Sequence, residues 1–130
     1  MGAQRILIAV VSVVIFVLGS VGTAAALSAS FSWSGIAACS GPSPAFRISG
    51  APKGTVSLRF AMRDLDAPNF NHGGGTVAYD GKGTVARGAI GYVPPCPPGG
   101  AKHRYVWTIE ALDASGKRLA STSASGTFPR

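Results

Sequence analysis

From Val56 to Arg63 the chain alternates: Val56, Leu58, Phe60 and Met62 take one parity, and Ser57, Arg59, Ala61 and Arg63 take the other. A period of two sends successive side chains to opposite faces of an extended backbone, so one face meets a core and the other meets water. Residues 104–112 form a second strong strand, rich in Tyr, Val, Trp, Thr and Ile. Weaker strands are expected at residues 45–48, 76–79, 84–90 and 117–122, separated by turns such as Ala51-Pro52-Lys53-Gly54 and Asp113-Ala114-Ser115-Gly116. Residues 45–48 and the alternating strand are expected to form a hairpin with a four-residue loop, and residues 117–122 to run antiparallel to 104–112. Past residue 26 no stretch carries a helical period. This is the pattern of a mainly β, antiparallel sandwich or barrel.

The N-terminus has a different composition. Arg5 is its one charge, no charged residue follows from Ile6 to Leu27, and Ile, Leu, Val and Phe dominate up to Leu18. Ala24-Ala25-Ala26 then supplies the small-x-small pattern that a signal peptidase accepts. Residues 1–26 are therefore expected to be a signal peptide cleaved after Ala26, leaving residues 27–130 as a single domain. The alternative is an N-terminal membrane anchor, since about 20 uncharged residues span a bilayer. Against that, Gly19, Ser20, Gly22 and Thr23 dilute the apolar run. Either way the domain is expected outside the cytoplasm: periplasmic or secreted, or anchored and facing outward.

Export bears on the two cysteines. In an oxidising compartment Cys39 and Cys96 are expected to be bridged, the alternative being two buried thiols. The domain keeps 11 of the 12 Lys and Arg residues against all five acids. That surplus favours anionic partners. The charges are scattered, with no basic arm and no nucleic-acid-binding motif, so nucleic acid is not an expected partner. No H-E-x-x-H, Cys/His zinc pattern, Gly-x-Ser-x-Gly elbow or phosphate-binding P-loop is present.

Two loops are unusual. Residues 64–75 hold Asp64, Asp66, His72 and the run Gly73-Gly74-Gly75; residues 92–102 hold four prolines around Cys96. His103 closes the second loop, and Tyr105, two residues on, falls on the same face of the strand that begins there. Imidazole N–H groups and a phenol can donate to an anion. His and Asp can equally ligate a metal. The spacing does not choose between them.

Met62-Arg63-Asp64-Leu65-Asp66-Ala67-Pro68 resembles the D-P-D-A-P motif of the phosphatidylethanolamine-binding protein family, also called Raf kinase inhibitor-like proteins. Pro94-Pro95-Cys96-Pro97-Pro98-Gly99-Gly100-Ala101-Lys102-His103-Arg104-Tyr105 resembles that family's G-P-x-P-P-x-G…H-R-Y motif. The resemblance covers roughly residues 31–120 and is similar to the bacterial branch. It implies a Greek-key β-sandwich with a small anion pocket at one end. Carried over by position, the pocket is expected to use Asp64, Asp66, His72, His103 and Tyr105, with Pro95 and Cys96 as wall. It implies a phosphate or carboxylate ligand, including a phospholipid headgroup, no cofactor or metal, and a binding protein rather than an enzyme. Leu65 replaces the first Pro of the motif, Gly73 stands where an aromatic usually follows the histidine, and Pro94 occupies a Gly position. The expected consequences are a more open wall and one backbone N–H fewer. The alternatives are a protein-interaction or inhibitor module with a vestigial pocket, and a weak metal-dependent or acid/base hydrolase using Asp64, His72 and His103. Membrane contact is expected only through an uncleaved N-terminal segment.

Overall fold

The computed structural model describes residues 14–20, 22 and 25–129. Most of the signal-segment reading therefore lies outside the described residues. Among the described residues seven strands are present: β1 Ser28–Phe31, β2 Phe46–Ser49, β3 Ser57–Asp64, β4 Gly74–Ala78, β5 Thr84–Val85, β6 His103–Leu112 and β7 Arg118–Phe128. They form two antiparallel sheets, ordered β1-β2-β5 and β4-β3-β6-β7. No helix is formed among the described residues. The antiparallel β-sandwich expected from the sequence is the fold observed.

The alternation in β3 does what its period requires. Leu58, Phe60 and Met62 are buried, while Arg59, Ala61 and Arg63 are exposed. Val56 precedes the strand and is half exposed. In β6 the buried parity is Tyr105, Trp107, Ile109 and Ala111. Phe46 from β2 closes the core between the sheets, with its ring centroid 4.9 Å from Phe60 and 5.4 Å, edge-on, from Trp107. Edge-to-face aromatic contacts of this kind add to the area they bury.

The expected hairpin between residues 45–48 and the alternating strand does not form. β2 pairs with β1 and β5, and β3 pairs with β4 and β6. The turn itself is made, with Thr55 donating to the Pro52 carbonyl from its N–H at 3.1 Å and its hydroxyl at 2.7 Å. But the segment carries the chain from one sheet to the other. The reason is burial: Phe46 and Phe60 cover one another by facing across the sandwich, which two strands side by side in one sheet would not achieve. The Asp80–Gly83 turn also crosses between sheets, and β5 stops at Val85, well short of the expected residue 90. β6 and β7 do pair as expected, but β7 runs on to Phe128.

β1 and the second half of β7 carried little apolar signal. They hold small residues because large ones from elsewhere pack on them. Gly126 is the clearest case, since a Cβ there would meet the Trp33 indole at 3.2 Å, and the Trp33 Nε1–H donates to the Gly126 carbonyl at 3.3 Å.

Gly74 in β4 has φ 150° and lies against the Phe60 backbone, where a Cβ would run into the Phe60 carbonyl. Gly74→Ala is expected to destabilise the domain by about 1–3 kcal/mol from the backbone conformation alone. A urea midpoint equal to wild type would contradict this. Gly75→Ala, where a Cβ meets open space, is the matched control.

Candidate functional site

The strand pairing builds the site. In the antiparallel β3–β6 ladder Asp64 lies opposite Tyr105, so the last residue of β3 meets the first residues of β6. Asp64 has the inward parity of β3, which continues the buried series Leu58, Phe60, Met62 and delivers a carboxylate to the end of the core. His103 and Tyr105 share the inward parity of β6, as the two-residue spacing implied, and their rings lie 6.3 Å apart.

Asp64 is 3% exposed, yet both its oxygens are satisfied. Oδ1 accepts from the N–H groups of Asp66 at 2.9 Å and Ala67 at 3.2 Å, and Oδ2 accepts from His103 Nδ1 at 2.6 Å. Burial pushes its carboxyl up, but the bond from His103, the backbone bond from Asp66 and the imidazole charge outweigh this. The carboxyl is held below its ordinary value of 3.8. His72, also 3% exposed, donates from Nδ1 to the Val93 carbonyl at 2.7 Å, and the Val93 N–H returns a bond to the His72 carbonyl at 2.8 Å. This reciprocal pair fastens the histidine loop to the proline loop. Each imidazole thus has Nδ1 committed and Nε2 as its remaining nitrogen.

Tyr105 is fully buried, and its hydroxyl has no hydrogen-bond partner. Burial raises its pKa, followed by the charge of the nearby Asp64 carboxylate and the pull of that carboxylate on the phenol proton, and then by the charge of Asp66, so the phenol stays protonated and able to donate. An unpartnered buried hydroxyl is costly unless a ligand or water meets it.

A cavity of about 480 Å³ borders these groups, lined by Asp64, Ala67, Phe70, His72, Val93, Pro94, Cys96, Pro98, His103 and Tyr105. Five of the seven residues expected from the sequence line it: Asp64, His72, Cys96, His103 and Tyr105. Two do not. Asp66 is exposed and accepts from the Arg104 N–H at 2.7 Å, pinning the start of β6. Pro95 is buried behind the wall, and its carbonyl accepts from the Cys39 N–H at 2.9 Å. Cys39 and Cys96 are bridged, with Cα atoms 4.4 Å apart. Phe70 was not anticipated. Its ring centroid lies 4.6 Å from that of His72, and it supplies an aromatic part of the wall. Pro94 lines the cavity without an N–H to offer, and the neighbouring Val93 N–H is spent on His72.

One oxygen or nitrogen from each of Asp64, Asp66 and His103 falls within a 4.8 Å cluster, the spacing of a metal site. These side chains already have partners: Asp64 Oδ2 holds His103, and Asp66 Oδ2 holds Arg104. A cation drawing on those same atoms would compete with these bonds.

A sandwich with a mostly apolar cavity at one end, and a few converging polar groups inside it, has the arrangement of a small-molecule site. The chain belongs to the phosphatidylethanolamine-binding protein family, whose sequence model matches residues 20–128. A curated relative from Chlamydia trachomatis, described as a UPF0098 protein, is 34% identical over 95 residues, 56% of this chain and 61% of its own length. The chain thus spans about three fifths of that relative. The crystal structure of a phosphatidylethanolamine-binding protein homologue from Chlamydia trachomatis superposes with a TM-score of 0.58 and 24% identity, over 79% of this chain and 98% of that one. It shares the fold.

Proposed function

We propose that this protein works outside the cytoplasm and holds a small anion, through a phosphate or carboxylate group, in the cavity between the two loops. The observation that carries this reading is the convergence on one cavity of the Tyr105 phenol and two imidazoles whose Nδ1 atoms are both committed. With Nδ1 bound to a carbonyl or a carboxylate, an imidazole can donate to an anion only from Nε2–H, which requires the doubly protonated ring. The anion therefore binds together with a proton.

The reading carries no turnover. Among the described lining residues there is no Ser or Thr, and the Cys96 sulfur is held in the bridge. The phosphatidylethanolamine in the family's name makes a phospholipid headgroup one candidate ligand. Export is supported by the uncharged run before Leu27 and by the small-x-small pattern Ala24-Ala25-Ala26 that ends it. An alternative role as a protein-interaction module is favoured by Leu65, Phe70 and Val93, which are exposed at the pocket end.

Titrating inorganic phosphate into the protein should shift the amide signals of residues around Asp64, His72 and His103. Affinity should fall as pH rises, because each ring must carry a proton on both nitrogens to donate from Nε2. His103→Ala should weaken binding at least about tenfold, the loss of one charge-assisted bond. Shifts mapping elsewhere, or unchanged affinity in the variant, would leave the family likeness as fold alone and favour the interaction module.

A further inference from the structure

We infer that the ligand is an amphipathic anion, a phosphate or carboxylate carried on a flat apolar body, rather than a bare anion or a wholly polar headgroup. This rests on the anion reading and specifies what else the cavity takes.

The cavity divides into two parts. The residues able to meet an anion are His72, His103 and Tyr105, close together with ring centroids 5.4 and 6.3 Å apart, and Asp64 holds one of them from behind. The rest of the lining is apolar: Ala67, Phe70, Val93, Pro94 and Pro98, with the bridged Cys96. The volume, about 480 Å³, lies in the range of about 300–1,000 Å³ typical of cavities that enclose drug-sized ligands. A phosphate or carboxylate group occupies a small part of it. Left with only a bare anion, the apolar remainder would be filled by water against Phe70, Val93 and the prolines, the surface from which displacing water is most favourable.

Phe70 shows what that remainder is shaped for. Its ring packs on His72 yet stays 53% exposed, so one part is spent on the histidine and the other is open to a ligand. Aromatic groups stack offset or edge-on against such a ring, and proline rings offer further flat apolar surface. A polar headgroup ending in an ammonium group would need an acceptor in the same region. The lining offers one carboxylate, Asp64, and its oxygens are engaged by His103, Asp66 and Ala67.

The test compares three probes on the full chain by NMR titration at one pH: inorganic phosphate, phenyl phosphate and phosphoethanolamine. Phenyl phosphate is expected to bind about tenfold more tightly than either of the others, the effect of burying one aromatic face. In Phe70→Ala the ratio of phenyl phosphate to phosphate affinity should fall to about twofold or less. Leu65→Ser, exposed but outside the cavity lining, should leave the ratio as in wild type. Equal affinity for phosphate and phenyl phosphate, or tightest binding of phosphoethanolamine, overturns the inference while leaving the anion site standing. An unchanged ratio in Phe70→Ala overturns it as well. If none of the three probes shifts signals around His72 and His103, the anion reading fails, and this inference with it.

Discussion

Replacing Asp64 by alanine is expected to cost about 1–3 kcal/mol of folding stability, the range for leaving buried donors without their acceptor. The change leaves His103 Nδ1 and the N–H groups of Asp66 and Ala67 without their acceptor in a nearly closed environment. It also removes the group that orients His103, so phosphate binding should be lost with it. Asp64→Asn keeps an oxygen for the backbone N–H groups but gives up the charged bond to His103, and should recover only part of the stability. Urea unfolding with a parallel phosphate titration checks both outcomes. A midpoint for Asp64→Ala within error of wild type would show that the pair is a surface feature. The pH dependence has a definite sign. The folded carboxyl lies below its unfolded value of 3.8, so its contribution is present above about 3.8 and disappears as pH falls through the lower folded value. Asp64→Ala should therefore lose less stability than wild type between neutral pH and pH 3.

Opening the Cys39–Cys96 bridge is expected to cost about 4 kcal/mol by the chain-entropy argument for a separation of 57 residues. For a domain of this size that corresponds to a fall in Tm on the order of 15–30 °C. The consequence is also local. Cys96 lines the cavity, and the Cys39 N–H holds the Pro95 carbonyl behind it, so the bridge fixes the proline loop against residues 37–41. Reduction should weaken anion binding before the sandwich unfolds, visible as phosphate affinity declining under dithiol at temperatures where the far-UV signal is intact. Alkylation of the non-reduced, denatured protein should label no thiol. Stoichiometric labelling of both cysteines would refute the bridge.

The strands that could be read from the chain were those whose own side chains make the core. β3 announces itself through Leu58, Phe60 and Met62, and β6 through Tyr105, Trp107 and Ile109, because each contributes a full apolar face. β1 and the far half of β7 stayed silent. Apart from their last residues, Phe31 and Phe128, their positions hold Ser, Ala, Thr and Gly; Gly126 serves by leaving room for Phe31 and Trp33, and absence of bulk has no period to detect.

The site was legible to the same degree. Asp64, His72, His103 and Tyr105 could be named because they sit in two ordered motifs, and parity alone put His103 and Tyr105 on one face. Asp66 and Pro95 belong to the same motifs but support the site from outside the cavity, a distinction that depends on which way a loop turns after its strand ends. Phe70 escaped because nothing local says that an exposed ring will fold back onto a histidine.

By itself, then, the sequence determined the two strongest strands, the antiparallel β class, the cysteine pair and four of the polar groups around the cavity. These follow from short-range facts: side-chain alternation, motif order and the parity of neighbouring residues. The tertiary structure alone decided that residues 45–48 and the alternating strand face each other across two sheets rather than pair in one. It also decided that Phe70 closes the wall, that Asp66 clamps the start of β6, and that the Tyr105 hydroxyl is left without a partner. The first depends on which buried surfaces meet across the sandwich, settled by the burial of the strands together; the others depend on how the loops turn once the β3–β6 pairing has set their ends side by side.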